Sequence, residues 1–150
     1  MEDNIAKVLN NLIKTSRDGE EGFRTAAENV TNQELKTILL DRAEGCNHAV
    51  LELQKYVTNY TDANEVEEGG TILGAIHRGW LNLKSMITGD NDQAILAECE
   101  RGESVAKEQY AMALEQDLPE NIHTLVKHQY DGVLKNYDLV RSLSAKFGSN

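Results

Sequence analysis

Glu44 and His48 stand four residues apart, Glu100 and Glu103 three apart, and Glu20 lies beside Glu21. At separations of three or four, two side chains share one face of a helix. Carboxylates and imidazoles converging from several helices are the ligand set of dinuclear iron and manganese centres. In those, two helices of a bundle each give one Glu and the other two each give a Glu-x-x-His. The match here is partial. Glu20 or Glu21 would serve on the first helix and Glu100 or Glu103 on the fourth, while Glu44 and His48 are one residue wider than the expected spacing. Glu120 and His123 have the right spacing but open a helix, where Glu120 is accounted for as a first-turn carboxylate. His128 and Asp131 fall on a face that reads as partly solvated. The metals this set would hold are iron, manganese or zinc. The competing reading of the same residues needs no cofactor: a buried Arg42–Glu103 pair satisfied by Gln129, with Glu20 at the same level.

Other chemistry finds little footing. Cys46 and Cys99 lie far apart with no Cys-x-x-Cys pattern, and both fall on apolar stripes where thiols are inert. His77-Arg78-Gly79-Trp80 reads as a packing tryptophan, its indole covering the bundle, beside a solvated histidine and arginine. There is no phosphate-binding glycine loop, no nucleophile elbow and no strand pattern to carry either. The formal charge of −10 repels phosphate backbones, so nucleic acid is not an expected partner. No apolar run approaches the ~20 residues that span a bilayer, and the first residues lack the features of a secretory signal. A cytoplasmic location is expected.

The elements that must position these residues are all helical. Apolar residues at three-and-four spacing mark helices over about residues 4–30, 32–60, 71–88, 91–116 and 119–147 of the 150. Thr31-Asn32-Gln33-Glu34 reads as a capping box in which Thr31 caps and Glu34 reaches back. Asp90-Asn91-Asp92-Gln93 reads as a second box, and Asp117-Leu118-Pro119-Glu120 adds a proline in the first turn of the last helix. Four long helices with short turns at both ends and a long crossover predict a ferritin-like antiparallel four-helix bundle, with the shorter helix in the crossover between the second and third bundle helices. The whole chain forms one domain.

Each long helix carries glycine near its middle: Gly19 and Gly22, then Gly45, Gly102 and Gly132. A glycine inside a helix costs about 1 kcal/mol relative to alanine. Counting outward from the short turns puts them at one level, a waist. The plain account is close helix approach, or room for Phe23 or Trp80. The functional account is space for a ligand, ion or water beside the polar layer.

Three motifs carry a resemblance: Asp18-Gly19-Glu20-Glu21-Gly22-Phe23-Arg24, Gly74-Ala75-Ile76-His77-Arg78-Gly79-Trp80-Leu81-Asn82-Leu83-Lys84, and Ile95-Leu96-Ala97-Glu98-Cys99-Glu100-Arg101-Gly102-Glu103. Together and in this order they resemble an uncharacterised bacterial four-helix-bundle family of ferritin-like proteins, over nearly the whole chain. The resemblance implies the ferritin-like connection and a bacterial cytosolic setting, without implying ferroxidase activity. Tyr137 stands where members of that family commonly have histidine, which would remove a ligand if that histidine binds metal.

The expectation that follows is a non-enzymatic bundle with a stress or housekeeping role. Leu40, Leu51, Tyr130 and Leu134 lie off the core stripes and suggest a homo-oligomer. The rivals are a metal-binding oxidoreductase or iron-handling protein using Glu20, Glu44, His48, Glu100 and Glu103, and a small-molecule or protein-binding module using the glycine waist.

Overall fold

A computed structural model describes residues 2–60, 80 and 91–148. The described residues form four helices and no strand: α1 (Glu2–Asn29), α2 (Gln33–Val57), α3 (Asp92–Leu114) and α4 (Glu120–Gly148). The additional helix expected over residues 71–88 lies outside the described residues, apart from Trp80.

α1 and α2 make one antiparallel hairpin, α3 and α4 another. Their relative directions follow from three contacts. Thr31, in the α1–α2 turn, meets Asp92 at the start of α3. Asn11 Nδ2 donates to Gln109 Oε1 at 2.7 Å, joining the early part of α1 to the late part of α3. Lys146 at the end of α4 lies 3.9 Å from Glu34 at the start of α2. α2 and α3 therefore run in the same direction and face each other across the diagonal. The neighbours around the bundle are α1–α2, α2–α4, α4–α3 and α3–α1, and the α2–α4 seam is the loosest of the four.

Asn32, one residue later than the expected Thr31, is the cap of α2: its backbone is extended and its side chain accepts from Leu35 N at 3.1 Å. Thr31 is used elsewhere. Its N–H and hydroxyl donate to Asp92 at 2.8 and 2.9 Å, and Asn32 N donates to the same carboxylate at 3.2 Å. A carboxylate in the first turn of α3 also sits favourably against that helix's dipole. Asn91 caps α3, accepting from Gln93 N and Ala94 N. Pro119 immediately precedes α4, its carbonyl accepting from His123 N at 2.8 Å, so its missing N–H costs nothing.

The apolar stripes pack into two separate clusters. One, at the turn end, gathers Phe23, Val30, Leu35, Leu39, Ile95, Leu96 and Val140; the other, at the far end, gathers Leu9, Leu12, Leu53, Val57, Ile122 and Val126. Between them all four helices carry polar or glycine residues. Leu40 and Leu51 are exposed as expected, with Met112 and Leu139, whereas Tyr130 and Leu134 are half-buried. Among the described residues no helix is long and apolar enough to cross a membrane.

Candidate functional site

The stripe of α1 runs Leu9, Leu12, Ser16, Gly19, Phe23, a continuous three-and-four spacing whose middle is polar and small. At that level α2 presents Arg42, Gly45 and Cys46, α3 presents Gly102, Glu103 and Ala106, and α4 presents Gln129, Gly132 and Val133. These residues enclose a cavity of about 180 Å³. Gly45, His48 and His128 line it and are exposed, so it opens to solvent at the loose α2–α4 seam.

The waist glycines have three different neighbours. A Cβ on Gly22 would lie 2.3 Å from the Trp80 ring, and one on Gly102 would lie 2.2 Å from the opposite edge of it. Trp80 is thus a wedge driven between α1 and α3 and 2% exposed, where the sequence suggested an outer cover. Its ring meets Phe23 edge-on at 5.1 Å and 75°, a favourable arrangement. Gly19 faces the Cys46 thiol and Gly45 faces Arg42 Nη1, at 3.0 and 2.8 Å from the added Cβ. Gly132 has nothing within 4 Å, and its missing side chain is open space.

Arg42 and Glu103 form the expected pair across the diagonal, Nη2 to Oε2 at 3.3 Å, with side chains 9% and 4% exposed. The guanidinium also lies over the Phe23 ring, 5.2 Å from its centroid. Burial pushes the Glu103 carboxyl above its ordinary range, and the attraction of Arg42 pulls it back only in part. Arg42 Nε is buried with no hydrogen-bond partner among the described residues.

Gln129 does not complete this pair. It accepts from Tyr110 Oη at 2.7 Å and donates to Ala49 O at 3.3 Å and Glu52 Oε1 at 3.1 Å. Ser16 Oγ lies 3.3 Å from the same phenol, and His48 lies 3.8 Å from Glu52. A polar chain thereby runs from the interior of α1 through α3 and α4 to the rim of α2. Burial raises the Tyr110 phenol, with the Ser16 hydrogen bond opposing it. Ser16 and Glu52 escaped the sequence reading, although Ser16 sits on the inward stripe of α1 and Glu52 one turn beyond His48.

The residues considered for a metal are dispersed. Glu103 alone of them is buried. Glu20 turns to Arg17 and Arg24, at 2.8 and 3.0 Å. Glu44 and His48 are exposed and Glu100 is half-exposed. Among the described residues, no group of three or more His, Cys, Asp or Glu side chains is placed to hold a metal ion. Tyr137 is flanked by cations, Lys107 Nζ at 4.7 Å and Arg141 Cζ at 5.7 Å from its ring centroid.

Neither thiol is poised for chemistry. Cys46 is partly exposed as a residue, but its Sγ packs against Gly19, and burial outweighs Arg42 to push it up to about 12. Cys99 is buried in the turn-end cluster and is raised further by the same cause, with Glu103 and Glu98 adding to it.

Comparison with known proteins places this geometry in a family. No curated protein matches the chain. A family model described as a domain of unknown function (DUF2383) matches residues 4–116. The matched span holds almost all of α1, the whole of α2 and α3, and Trp80, which are three walls of the cavity and the wedge that seals it. The chain belongs to this DUF2383 family.

Proposed function

We propose that this protein is a non-enzymatic binding module of ferritin-like topology, whose waist cavity receives a small molecule through the α2–α4 seam. The topological part is supported by two antiparallel hairpins joined so that α2 and α3 run in parallel. The observation that carries the binding part is the cavity itself. It is about 180 Å³, walled by glycine, alanine and an indole, and bordered by a hydrogen-bonded polar chain. An engineered apolar cavity of about 150 Å³ holds benzene, so this space suits a ligand of roughly one ring. A non-enzymatic role fits the chemistry of the site: burial holds both thiols protonated at neutral pH, and among the described residues the hydroxyls of Ser16 and Tyr110 bond each other and Gln129 rather than an imidazole.

The test is thermal unfolding against a panel of single-ring compounds, run beside Gly132→Leu. Gly132 lines the cavity and a Cβ there meets nothing within 4 Å, so a leucine at this position is placed to occupy part of the space. A ligand that binds the native state raises Tm in proportion to the logarithm of its concentration. The expected result is a rise in wild type that Gly132→Leu abolishes while remaining folded. Retention of stoichiometric iron, manganese or zinc through chelator-free purification, and its loss in Glu103→Ala, would instead favour the metal-handling reading.

A further inference from the structure

The cavity wall has an unequal supply of hydrogen-bonding groups. The Tyr110–Gln129 side is closed on itself: the phenol donates to Gln129 Oε1, and the Gln129 amide donates to Ala49 O and Glu52. A ligand there would have to break bonds already made. The Arg42 side is different. One guanidinium nitrogen, Nη2, reaches Glu103 at 3.3 Å, and Nε has no partner among the described residues. Nη1 extends past Gly45, where only the absence of a Cβ leaves it room. Gly45 is at the mouth of the cavity and exposed. A buried donor of this kind, left unbonded, costs free energy that an incoming acceptor would recover.

Charge points the same way. Glu103 is a poor counter-ion, because burial disfavours its ionised form. Around the pair lie Cys46, which hydrogen-bonds Arg42, and Cys99, both held protonated, the face of Phe23, and the carboxylates of Glu20 and Glu98, each paired with an arginine of its own helix. A guanidinium with an unbonded Nε–H suits an anionic acceptor such as a carboxylate, with which arginine makes charge-assisted hydrogen bonds. The remaining walls, Trp80, Ala49, Ala106 and Val133, suit an apolar body.

We infer that the waist cavity binds a small monocarboxylate, its head group on the Arg42 guanidinium and its apolar body between Trp80, Ala106 and Val133. This rests on the proposed binding role of the cavity and adds the chemical class of the ligand.

Isothermal titration with three ring compounds of nearly equal size separates the possibilities: benzoate, neutral benzamide and cationic benzylamine. The expected result is that benzoate binds at least tenfold more tightly than either of the others. Gly132→Leu should abolish that binding, and Arg42→Gln should bring benzoate to within about threefold of benzamide. Because Arg42→Gln strips Glu103 of its partner, the double variant Arg42→Gln/Glu103→Gln is measured beside it. The double variant removes both ionisable members of the pair, and the same loss of preference is expected in it. Equal binding of benzoate and benzamide, abolished by Gly132→Leu, would overturn the carboxylate assignment while leaving the cavity as a binding site. Tighter binding of benzylamine would do the same. No binding of any of the three to folded wild type would overturn both readings. Benzoate binding that survives Gly132→Leu would place the anion elsewhere on the surface and overturn the inference.

Discussion

Alanine at Gly102 and alanine at Gly132 should move stability in opposite directions, though both replace a helical glycine at the same level of the bundle. In each case alanine removes the glycine penalty, a gain of about 1 kcal/mol. At Gly132 nothing opposes it, since the added methyl meets no atom within 4 Å. At Gly102 the methyl would lie 2.2, 2.3 and 2.7 Å from Cε2, Cζ2 and Nε1 of Trp80. Carbon atoms pack best at roughly 3.5–4.0 Å, so the indole would have to retreat by about an ångström or more. It is a rigid ring with Gly22 against its other edge, so a retreat from Gly102 drives it toward α1. Overpacking of this kind costs about 1–3 kcal/mol. Where the upper half of that range applies, it exceeds the helix gain by about 1–2 kcal/mol. For a chain of this size each kcal/mol moves Tm by roughly 2–4 °C. Thermal unfolding followed by far-ultraviolet circular dichroism should therefore show Gly132→Ala about 2–4 °C above wild type and Gly102→Ala several degrees below it. A third variant isolates the cause. In a Trp80→Ala background, itself about 3–5 kcal/mol less stable, Gly102→Ala should turn neutral or stabilising. If Gly102→Ala matches Gly132→Ala, or still destabilises without the tryptophan, the wedge is not what requires glycine at 102.

Asp92→Ala removes the acceptor of three hydrogen bonds from the α1–α2 turn and should cost about 1–2 kcal/mol, read as a lower urea midpoint; no change would mean the turn is held by α1 and α2 alone. Native Cys46 and Cys99 should alkylate with iodoacetamide at pH 8 far more slowly than the urea-unfolded chain, and rapid labelling of Cys46 in the native state would contradict its burial. The carboxyl of Glu103 is raised in the folded state, so its proton is held more tightly there than in the unfolded chain. The stability this contributes is complete below the ordinary value of 4.5 and is lost as pH rises through the folded value. Urea unfolding from pH 4.5 to 7 should accordingly show a steeper decline for wild type than for Glu103→Gln, and parallel pH profiles would refute the shift.

The helices were legible because their evidence is local and periodic. Leu35, Leu39, Leu53 and Val57 announce the inward face of α2 by spacing alone, and all four are buried. The Arg42–Glu103 pair was also legible, since two charged residues on apolar stripes at one level have few partners but each other. What spacing does not carry is the choice among competing acceptors. Thr31 and Asn32 are both good caps, and the structure uses Asn32 because Thr31 is taken by Asp92, 61 residues away. Gln129 could serve Glu103 or Tyr110, and the offset of about two turns between those two on α3 sends it to Tyr110. The polar face of α2 is harder to read for a related reason. Glu44 and His48 lie beside the stripe, where a few tens of degrees around the helix axis separate seam from solvent: both are exposed, and only His48 reaches the mouth of the cavity. The glycines showed a waist in sequence, yet only coordinates distinguish Gly22 and Gly102, which yield to an indole, from Gly132, which yields to nothing.

The placement of Trp80 has an optical consequence. It is the chain's single tryptophan, so all indole emission comes from one point. That point is walled by α1 from one hairpin and α3 from the other, and it borders the cavity. Parting of the hairpins would hydrate the ring and shift its emission to the red, while a guest in the cavity would alter the quantum yield without that shift. The unmodified protein therefore carries a fluorophore that distinguishes opening of its central seam from filling of its central space.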